Sequence, residues 1–248
     1  MQRVPTNPFR VVRLGAVLVL LLAVPLLFSV FRTNSSTSGG DGIKNQSEAG
    51  FNKSRYSTDQ PGSIWWVVNK NRPLPGGYAP PDLVVPNVPI RGNAGADERK
   101  VSKQITGPLE QMVAAAKAGG VNLLLASGYR SYNLQVSVYN QNVKQLGQAE
   151  ADKVSARPGT SEHQTGLSLD IGAASRKCEI EACFATMAEG QWIAAHAHEY
   201  GFIIRYPDGK YAVTGYNYEP WHIRYVGPDL AAELKRTSIP TLEEFFSL

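Results

Sequence analysis

Apolar positions along this chain form short runs whose spacing predicts a mixture of helices and strands. Residues 109–118 place their apolar side chains on one face of a predicted helix, which ends at the glycine pair that follows. Residues 121–126 form a continuous apolar run of strand length, and residues 167–171 alternate as a half-buried strand does. The other predicted helices cover residues 132–146, 182–189, 191–200, 228–235 and 242–246, and the other predicted strands cover 64–68, 202–206, 211–214 and 221–226.

The order of these elements predicts an α+β fold with a small antiparallel sheet flanked by helices. The pair Asp208-Gly209 separates two predicted strands and indicates a hairpin between them. Helices and strands do not alternate regularly, which disfavours a fold built from strand-helix-strand units. The polar residues 147–160 are predicted to form a loop.

An apolar run of 18 residues, 14–31, lies near the N-terminus and contains only Gly15, Pro25 and Ser29 as interruptions. It is close to the lower limit of about 17–25 residues for a membrane-spanning helix. It is longer than the usual signal-peptide core of about 7–15 residues. Three arginines precede the run and one follows it, which places the N-terminus in the cytoplasm.

We therefore interpret residues 1–32 as a cytoplasmic stub and a single-pass anchor in the cell membrane. A cleaved signal peptide is the main alternative, and a buried core helix is a third. An anchor or a signal would carry the rest of the chain out of the cytoplasm. Residues 33–63 are rich in Ser, Gly, Asn and Asp and predict a flexible linker, since they offer little apolar surface to bury. One folded domain is predicted over residues 64–248.

The basic balance of the chain does not indicate a nucleic-acid partner. Its sequence pI is about 9.0, but residues 1–32 contain four arginines and no acidic residue. The remainder holds 21 Lys and Arg against 21 Asp and Glu, so it is neutral. A neutral domain is not expected to present a strong basic surface to a phosphate backbone.

The two cysteines, Cys178 and Cys183, are separated by four residues. Outside the cytoplasm they are expected to form a small disulfide loop, whereas in the cytosol they would be free thiols.

Two histidines and a carboxylate are spaced as ligands of a catalytic metal site could be. His163 and Asp170 lie seven residues apart, with Gly166 between them to let the chain turn, and His222 follows near the C-terminus. Catalytic zinc sites usually have three protein ligands and an open fourth position for water. Spacing alone leaves a structural role for these histidines open. His196 and His198 share no helix face and are expected to be structural or exposed.

Glu219 precedes His222 by three residues, so on a regular strand the two side chains would point to opposite faces. Pro220 could introduce a bend that brings both to one face, because proline is favoured at strand starts and bulges. Glu219 is then the predicted general base.

A larger motif combines these residues: Ser161-x-His163-x-x-Gly166-x-Ser168-x-Asp170, followed by Glu219-x-Trp221-His222. The motif resembles the signature of the LAS metallopeptidases, the group of lysostaphin, D-alanyl-D-alanine peptidases and sonic hedgehog. Within that group it resembles the VanY-like D-alanyl-D-alanine carboxypeptidases most. The resemblance covers about residues 64–248 and extends to residues 67–75, the turn 127–131 and Gln135.

This resemblance implies a single zinc peptidase domain. His163, Asp170 and His222 would bind Zn²⁺, and Glu219 would act as general base and then as acid. Arg130 would stabilise the oxyanion or bind a substrate carbonyl, since its charge is fixed and its guanidinium is planar.

A carboxypeptidase must also recognise a terminal carboxylate. Ser161 and Gln135 are the candidates for that contact, and Tyr129 is a candidate for shaping the pocket. Each could equally be an ordinary polar or packing residue of its loop or helix.

Two positions depart from patterns within the group. Ser168 stands where the family usually has alanine, and we expect a change in packing without loss of metal. Pro220 stands where lysostaphin-like endopeptidases have a histidine, which disfavours that branch.

The expected activity is removal of the terminal D-alanine from peptidoglycan stem peptides. An L,D-carboxypeptidase and a peptidoglycan endopeptidase with the same site remain alternatives, as does a non-catalytic module that binds the cell wall. The sequence leaves open the oligomeric state and any role in glycopeptide resistance.

Overall fold

A computed structural model describes residues 50–248, which contain short strands and helices in mixed order. The strands are β1 (Leu83–Val84), β2 (Val101–Ser102), β3 (Leu123–Ser127), β4 (Ser168–Ala173), β5 (Phe202–Tyr206) and β6 (Glu219–Tyr225). The helices are α1 (Lys103–Ala118), α2 (Tyr132–Leu146), α3 (Gln148–Val154), α4 (Ala188–His196), α5 (Tyr211–Thr214), α6 (Pro228–Thr237) and α7 (Leu242–Phe246). Turns of 3₁₀ helix cover Glu162–Thr165, Ala182–Thr186 and Ala197–Tyr200.

The main sheet has four antiparallel strands in the order β3-β4-β6-β5, so the predicted mixture of helices and a small antiparallel sheet is confirmed. Strands β4 and β6 lie in its centre, and their register places Asp170 opposite His222. Directly opposite residues on one face of an antiparallel pair have neighbouring side chains. A second sheet contains only β1 and β2.

Helix α1 supplies one wall of the main core. Its buried residues recur at helical spacing and form a single apolar stripe. They pack with Leu125, Leu169 and Ile223 of the three neighbouring strands. The helix begins at Lys103, six residues before the predicted start, and the Ser102 side chain caps it by accepting a hydrogen bond from the Gln104 amide.

A cluster of four charged side chains is buried beneath the sheet. Arg205 donates hydrogen bonds to Glu162 at 2.8 Å and to Glu243 at 2.6 and 2.9 Å. Arg224 donates to the same Glu162 oxygen at 2.9 Å. Burial acts to raise the pKa of Glu162, but the charges of Arg205 and Arg224 outweigh it and hold that pKa well below its usual range.

The folded domain begins before residue 64, so the predicted linker is wrong for residues 50–63. Phe51 stacks on Trp65 with ring centroids 5.5 Å apart, and the Thr58 carbonyl accepts a hydrogen bond from the Val67 amide at 2.9 Å. Phe51 and Tyr56, whose rings both contact the buried ring of Trp65, supply the apolar contacts that the average composition of this segment conceals.

The predicted anchor, residues 1–32, and the linker up to residue 49 lie outside the described residues. Within residues 50–248, no helix has both the length and the apolar character that crossing a membrane requires.

The segment 64–68, predicted as a strand, is an irregular buried segment. Arg224 donates hydrogen bonds to the carbonyls of Ile64 at 3.1 Å and Trp66 at 2.8 Å. These bonds take the place of those that a neighbouring strand would supply.

The predicted disulfide between Cys178 and Cys183 is present.

Two further local predictions are wrong. Residues 211–214 form helix α5 instead of a hairpin strand, and the strand that pairs with β5 is β6. Tyr211 and Val213 are exposed, so their alternation does not mark a buried strand face. Residues 148–154, predicted as loop, form helix α3, in which only Ala151 is buried.

Replacing Arg205 with methionine should lower the free energy of unfolding by about 3–5 kcal/mol, because Glu162 and Glu243 would lose a buried counterion. Urea unfolding of the purified domain at neutral pH measures this change. The exposed pair of Lys210 and Glu244 provides the control, and Lys210→Met should cost about 1 kcal/mol or less. Equal effects of the two substitutions would contradict the structural role of the buried cluster.

Candidate active site

The three predicted metal ligands converge on one point. Ligand atoms of His163, Asp170 and His222 all lie within 4.8 Å of one another, and all three residues are buried. Asp170 Oδ2 is 3.4 Å from His163 Nε2, and Asp170 Oδ1 is 3.1 Å from His222 Nδ1. Two imidazole nitrogens and a carboxylate are a donor set that zinc prefers at catalytic sites.

A glycine between the first two candidate ligands makes this convergence possible. Gly166 ends the 3₁₀ turn that carries His163, and its φ of +68° lies in the left-handed region. A Cβ on Gly166 would lie 3.0 Å from the Ser102 amide nitrogen, so a side chain there would crowd the backbone as well as strain it. The predicted turn between His163 and Asp170 is therefore confirmed.

The backbone fixes which nitrogen of His163 faces the site. Its Nδ1 lies 2.7 Å from the carbonyl oxygen of Gly128, so Nδ1 donates a hydrogen bond and Nε2 is left as the ligand. Position 128 requires glycine, because a Cβ there would lie 2.2 Å from the Lys100 carbonyl oxygen. The turn before Arg130 thus orients a ligand.

His222 faces the site through Nδ1 and faces Glu162 through Nε2, which lies 3.9 Å from Glu162 Oε2. The same Glu162 oxygen accepts a hydrogen bond from the Ser168 hydroxyl at 2.8 Å. Burial lowers the pKa of His222, but Asp170 and Glu162 outweigh it and raise that pKa to about 9. The surroundings of this imidazole therefore favour a positive charge, which a metal ion at Nδ1 would supply.

Sequence reasoning missed Glu162, although it is adjacent to His163. The available signal is an acidic residue directly beside a predicted metal ligand. A buried carboxylate needs a cation. Two arginines supply it, from strands that lie far from Glu162 along the sequence.

Glu219 reaches the same face as His222 through a bulge. Between the pairs Ile204–Ile223 and Tyr206–Glu219, strand β5 advances two residues while β6 advances four. Glu219 Oε2 consequently lies 3.9 Å from His222 Nδ1. The predicted bend around Pro220 is present.

The environment of Glu219 suits a group that exchanges protons near neutral pH. Burial raises its pKa to about 7; the charge of Asp170 adds to this effect, and His222 and Arg130 oppose it. A carboxylate with a pKa close to the working pH can both accept and return a proton.

Arg130 lines the same cavity, and neighbouring side chains hold its guanidinium through hydrogen bonds. It donates hydrogen bonds to Gln135 Oε1 at 3.1 Å and to Ser127 Oγ at 3.2 Å, and one of its terminal nitrogens lies 3.8 Å from Asp170 Oδ2. The guanidinium is therefore oriented before any substrate arrives.

The three residues predicted to contact or shape the substrate site have different placements. Ser161 lines the cavity. Gln135 is fully buried, and its amide is occupied by Arg130 and by the Ala156 carbonyl at 2.7 Å. Tyr129 is also buried and does not line the cavity. The structure thus places Gln135 behind Arg130, where its contact is with the arginine.

The cavity has a volume of about 360 Å³. Tyr206 forms part of its wall and stacks on His222, with ring centroids 4.9 Å apart. Tyr216 packs against Tyr206 at 4.4 Å. Sequence reasoning did not single out several other residues that line the cavity. They include Val138, Asn142, Val154, Ile180, Asn217 and Tyr218.

A buried His-Asp-His cluster that shares one cavity with a carboxylate and a guanidinium is the set of groups that a metal-dependent hydrolase requires. A family model described as VanY, D-alanyl-D-alanine carboxypeptidase, matches residues 98–228. The chain belongs to this carboxypeptidase family.

Individual relatives agree with this assignment. The Bacillus subtilis (strain 168) protein YodJ is 42% identical over 186 residues, which are 75% of this chain and 68% of YodJ. The structure of the LD-carboxypeptidase LdcB is 42% identical, with a TM-score of 0.69, over 74% of this chain and 86% of that one. The structure of a VanY D,D-pentapeptidase from a VanB-type resistance cassette, in complex with Zn(II), is 30% identical, with a TM-score of 0.60, over 73% and 97%.

Replacing Asp170 with asparagine should weaken Zn²⁺ binding at least about 100-fold, because loss of a ligand costs more than loss of a residue that orients one. Titration of metal-free protein with Zn²⁺ against a competing chelator measures the affinity. Ser168→Ala is the control, since it removes a buried hydroxyl that donates a hydrogen bond to Glu162. Its affinity should stay within about threefold of wild type, while its stability falls by about 1 kcal/mol. An unchanged affinity in Asp170→Asn would contradict this ligand set.

Proposed function

We propose that this protein is a zinc carboxypeptidase that removes the terminal D-alanine from peptidoglycan stem peptides ending in D-Ala-D-Ala. The observation that carries the proposal is the meeting of Glu219 and Arg130 at the His-Asp-His cluster in one cavity. Membership of the VanY family supports the substrate class.

The zinc ion would be held by His163, Asp170 and His222. When bound, it lowers the pKa of a coordinated water and polarises the scissile carbonyl. His163 is held for this task by the Gly128 carbonyl, and His222 by the stacked ring of Tyr206.

Glu219 would accept the proton of the attacking water and return it to the amine of the departing D-alanine. Its pKa of about 7 is set mainly by burial, and the positive charge of a bound metal would lower it. With a pKa of about 7 or lower, the carboxylate can accept a proton at neutral pH.

Arg130 would stabilise the negative charge that develops on the carbonyl oxygen during attack. Its contacts with Gln135 and Ser127 hold the guanidinium in place, so little reorganisation is needed at that moment. Ser161, on the cavity wall, is our candidate donor to the terminal carboxylate of the substrate.

An L,D-carboxypeptidase acting on tetrapeptides is the second candidate. It is favoured by the similarity to LdcB, whose structure is described as that of an LD-carboxypeptidase. A non-catalytic wall-binding module is disfavoured by Glu219, because binding alone requires no buried base at the metal site. Pro220 continues to argue against the lysostaphin type of endopeptidase.

The proposed location is the outer face of the cell membrane, with residues 1–32 as a single-pass anchor. The support for this location is the apolar run 14–31 with its flanking arginines. A stem peptide lies outside the cytoplasm, so export would bring the site to its substrate.

The zinc-loaded full-length protein should release D-alanine from a synthetic stem pentapeptide, and excess chelator should abolish the release. Glu219→Gln should lower kcat roughly 100- to 10,000-fold with zinc content unchanged, because the proton acceptor is lost. The exposed Glu199 provides a control, and Glu199→Gln should retain full activity.

Mass spectrometry of the products distinguishes the candidates. Conversion of pentapeptide to tetrapeptide supports the proposal, whereas conversion of tetrapeptide to tripeptide alone favours the L,D-carboxypeptidase. Activity that survives complete metal removal would contradict both.

A further inference from the structure

The disulfide-closed loop between Cys178 and Cys183 contributes one side chain, Ile180, to the wall of the active-site cavity. Ile180 is 43% exposed, although it is a large aliphatic residue. It belongs to none of the buried apolar clusters of residues 50–248. Its side chain therefore serves no evident packing purpose within the described domain.

The backbone at Ile180 has an unfavourable conformation for its residue type. Its φ is +57°, in the left-handed region that branched side chains avoid, and Cys178 and Arg176 have φ values of +51° and +59°. Such conformations persist only where the surroundings impose them, and they cluster at functional sites. Glycine or asparagine would fit the backbone here with less strain.

Several contacts impose this conformation on the loop. The disulfide closes it, and Glu179, next to Ile180, accepts hydrogen bonds from Arg176 at 3.0 and 3.1 Å. Glu179 also pairs with Arg91 at 3.5 Å. Arg91 is itself held by Glu98 at 3.2 Å. The loop is thereby attached to the domain, and Ile180 is the residue of the loop that lines the cavity.

The rest of the cavity explains what an aliphatic side chain could recognise there. The candidate metal ligands, Glu219 and Arg130 supply the charges that we propose act on the scissile bond, and Ser161 is the proposed donor to the terminal carboxylate. Those charges do not distinguish one small residue from another at the end of the peptide. An aliphatic contact does, because it gains free energy only where the substrate presents an apolar group.

We propose that Ile180 is a specificity-determining residue whose side chain packs against an alanine methyl group at the end of the stem peptide. The disulfide and the Glu179 ion pairs present that side chain. This inference rests on the proposed carboxypeptidase function.

Ile180→Asn tests the inference without endangering the fold, because asparagine tolerates the left-handed region and the position is exposed. We expect the melting temperature to stay equal or to rise. The value of kcat/KM for the D-Ala-D-Ala pentapeptide should fall roughly 3- to 10-fold, chiefly through a higher KM, since the catalytic groups are untouched. Val85→Asn is the matched control: Val85 is 54% exposed and does not line the cavity, so its kcat/KM should not change.

Peptides with glycine in place of either terminal D-alanine identify the contact. Wild type should prefer alanine over glycine at one of the two positions, and Ile180→Asn should lose most of that preference. Cys178→Ser combined with Cys183→Ser should raise KM in the same direction, because the loop would no longer hold Ile180 in place.

The outcomes separate this inference from the proposed function. An active wild type with unchanged kcat/KM and unchanged alanine preference in Ile180→Asn would overturn the role of Ile180 alone. Failure of wild-type protein to cleave any stem peptide would overturn the proposed function, and the inference with it.

Discussion

The buried carboxylate of Glu162 is the constraint on which both fold and site depend. It accepts hydrogen bonds from Arg205 and Arg224, which belong to neighbouring strands of the sheet. Arg205 also binds Glu243 of helix α7, and Arg224 binds the carbonyl of Trp66 in the N-terminal segment. A buried charge without a partner is strongly destabilising, so these distant segments must assemble together. The same carboxylate faces His222, so correct assembly also positions a candidate metal ligand.

The parts of this structure that could be predicted from sequence are those fixed by local signals. The ends of helices α2 and α7 follow from nearby caps, and strand β4 from its alternation. The candidate ligands His163, Asp170 and His222 can be recognised because their motif is tied to chemistry that tolerates few residue types. The bend at Pro220 was also inferable, because proline and the required side-chain direction point to the same local geometry.

The parts that could not be predicted depend on partners distant in the chain. Residues 64–68 have a strand-like pattern, yet Arg224 takes the place of a strand partner, and no local signal specifies that arginine. Gln135, five residues after Arg130, is predicted as a substrate contact because the family resemblance extends to it and a terminal carboxylate needs a hydrogen-bond donor. The Ala156 carbonyl accepts a hydrogen bond from the Gln135 amide, so the amide supports the arginine instead of facing the cavity. The position of that carbonyl depends on the three-dimensional course of the chain, which the sequence does not show.

The residues proposed to carry out the chemistry and those proposed to select the peptide come from different parts of the molecule. The metal ligands and Glu219 come from the centre of the sheet and the turn that leads into it, where register and buried charges leave little freedom. The cavity wall comes from helices α2 and α3, the segment before β6 and the disulfide loop, whose sequences are less constrained by packing. Such a division would let two members of the family share the groups at the centre of the sheet and cleave different bonds. In the proposed function, residues of the wall such as Ile180 would decide the choice of peptide.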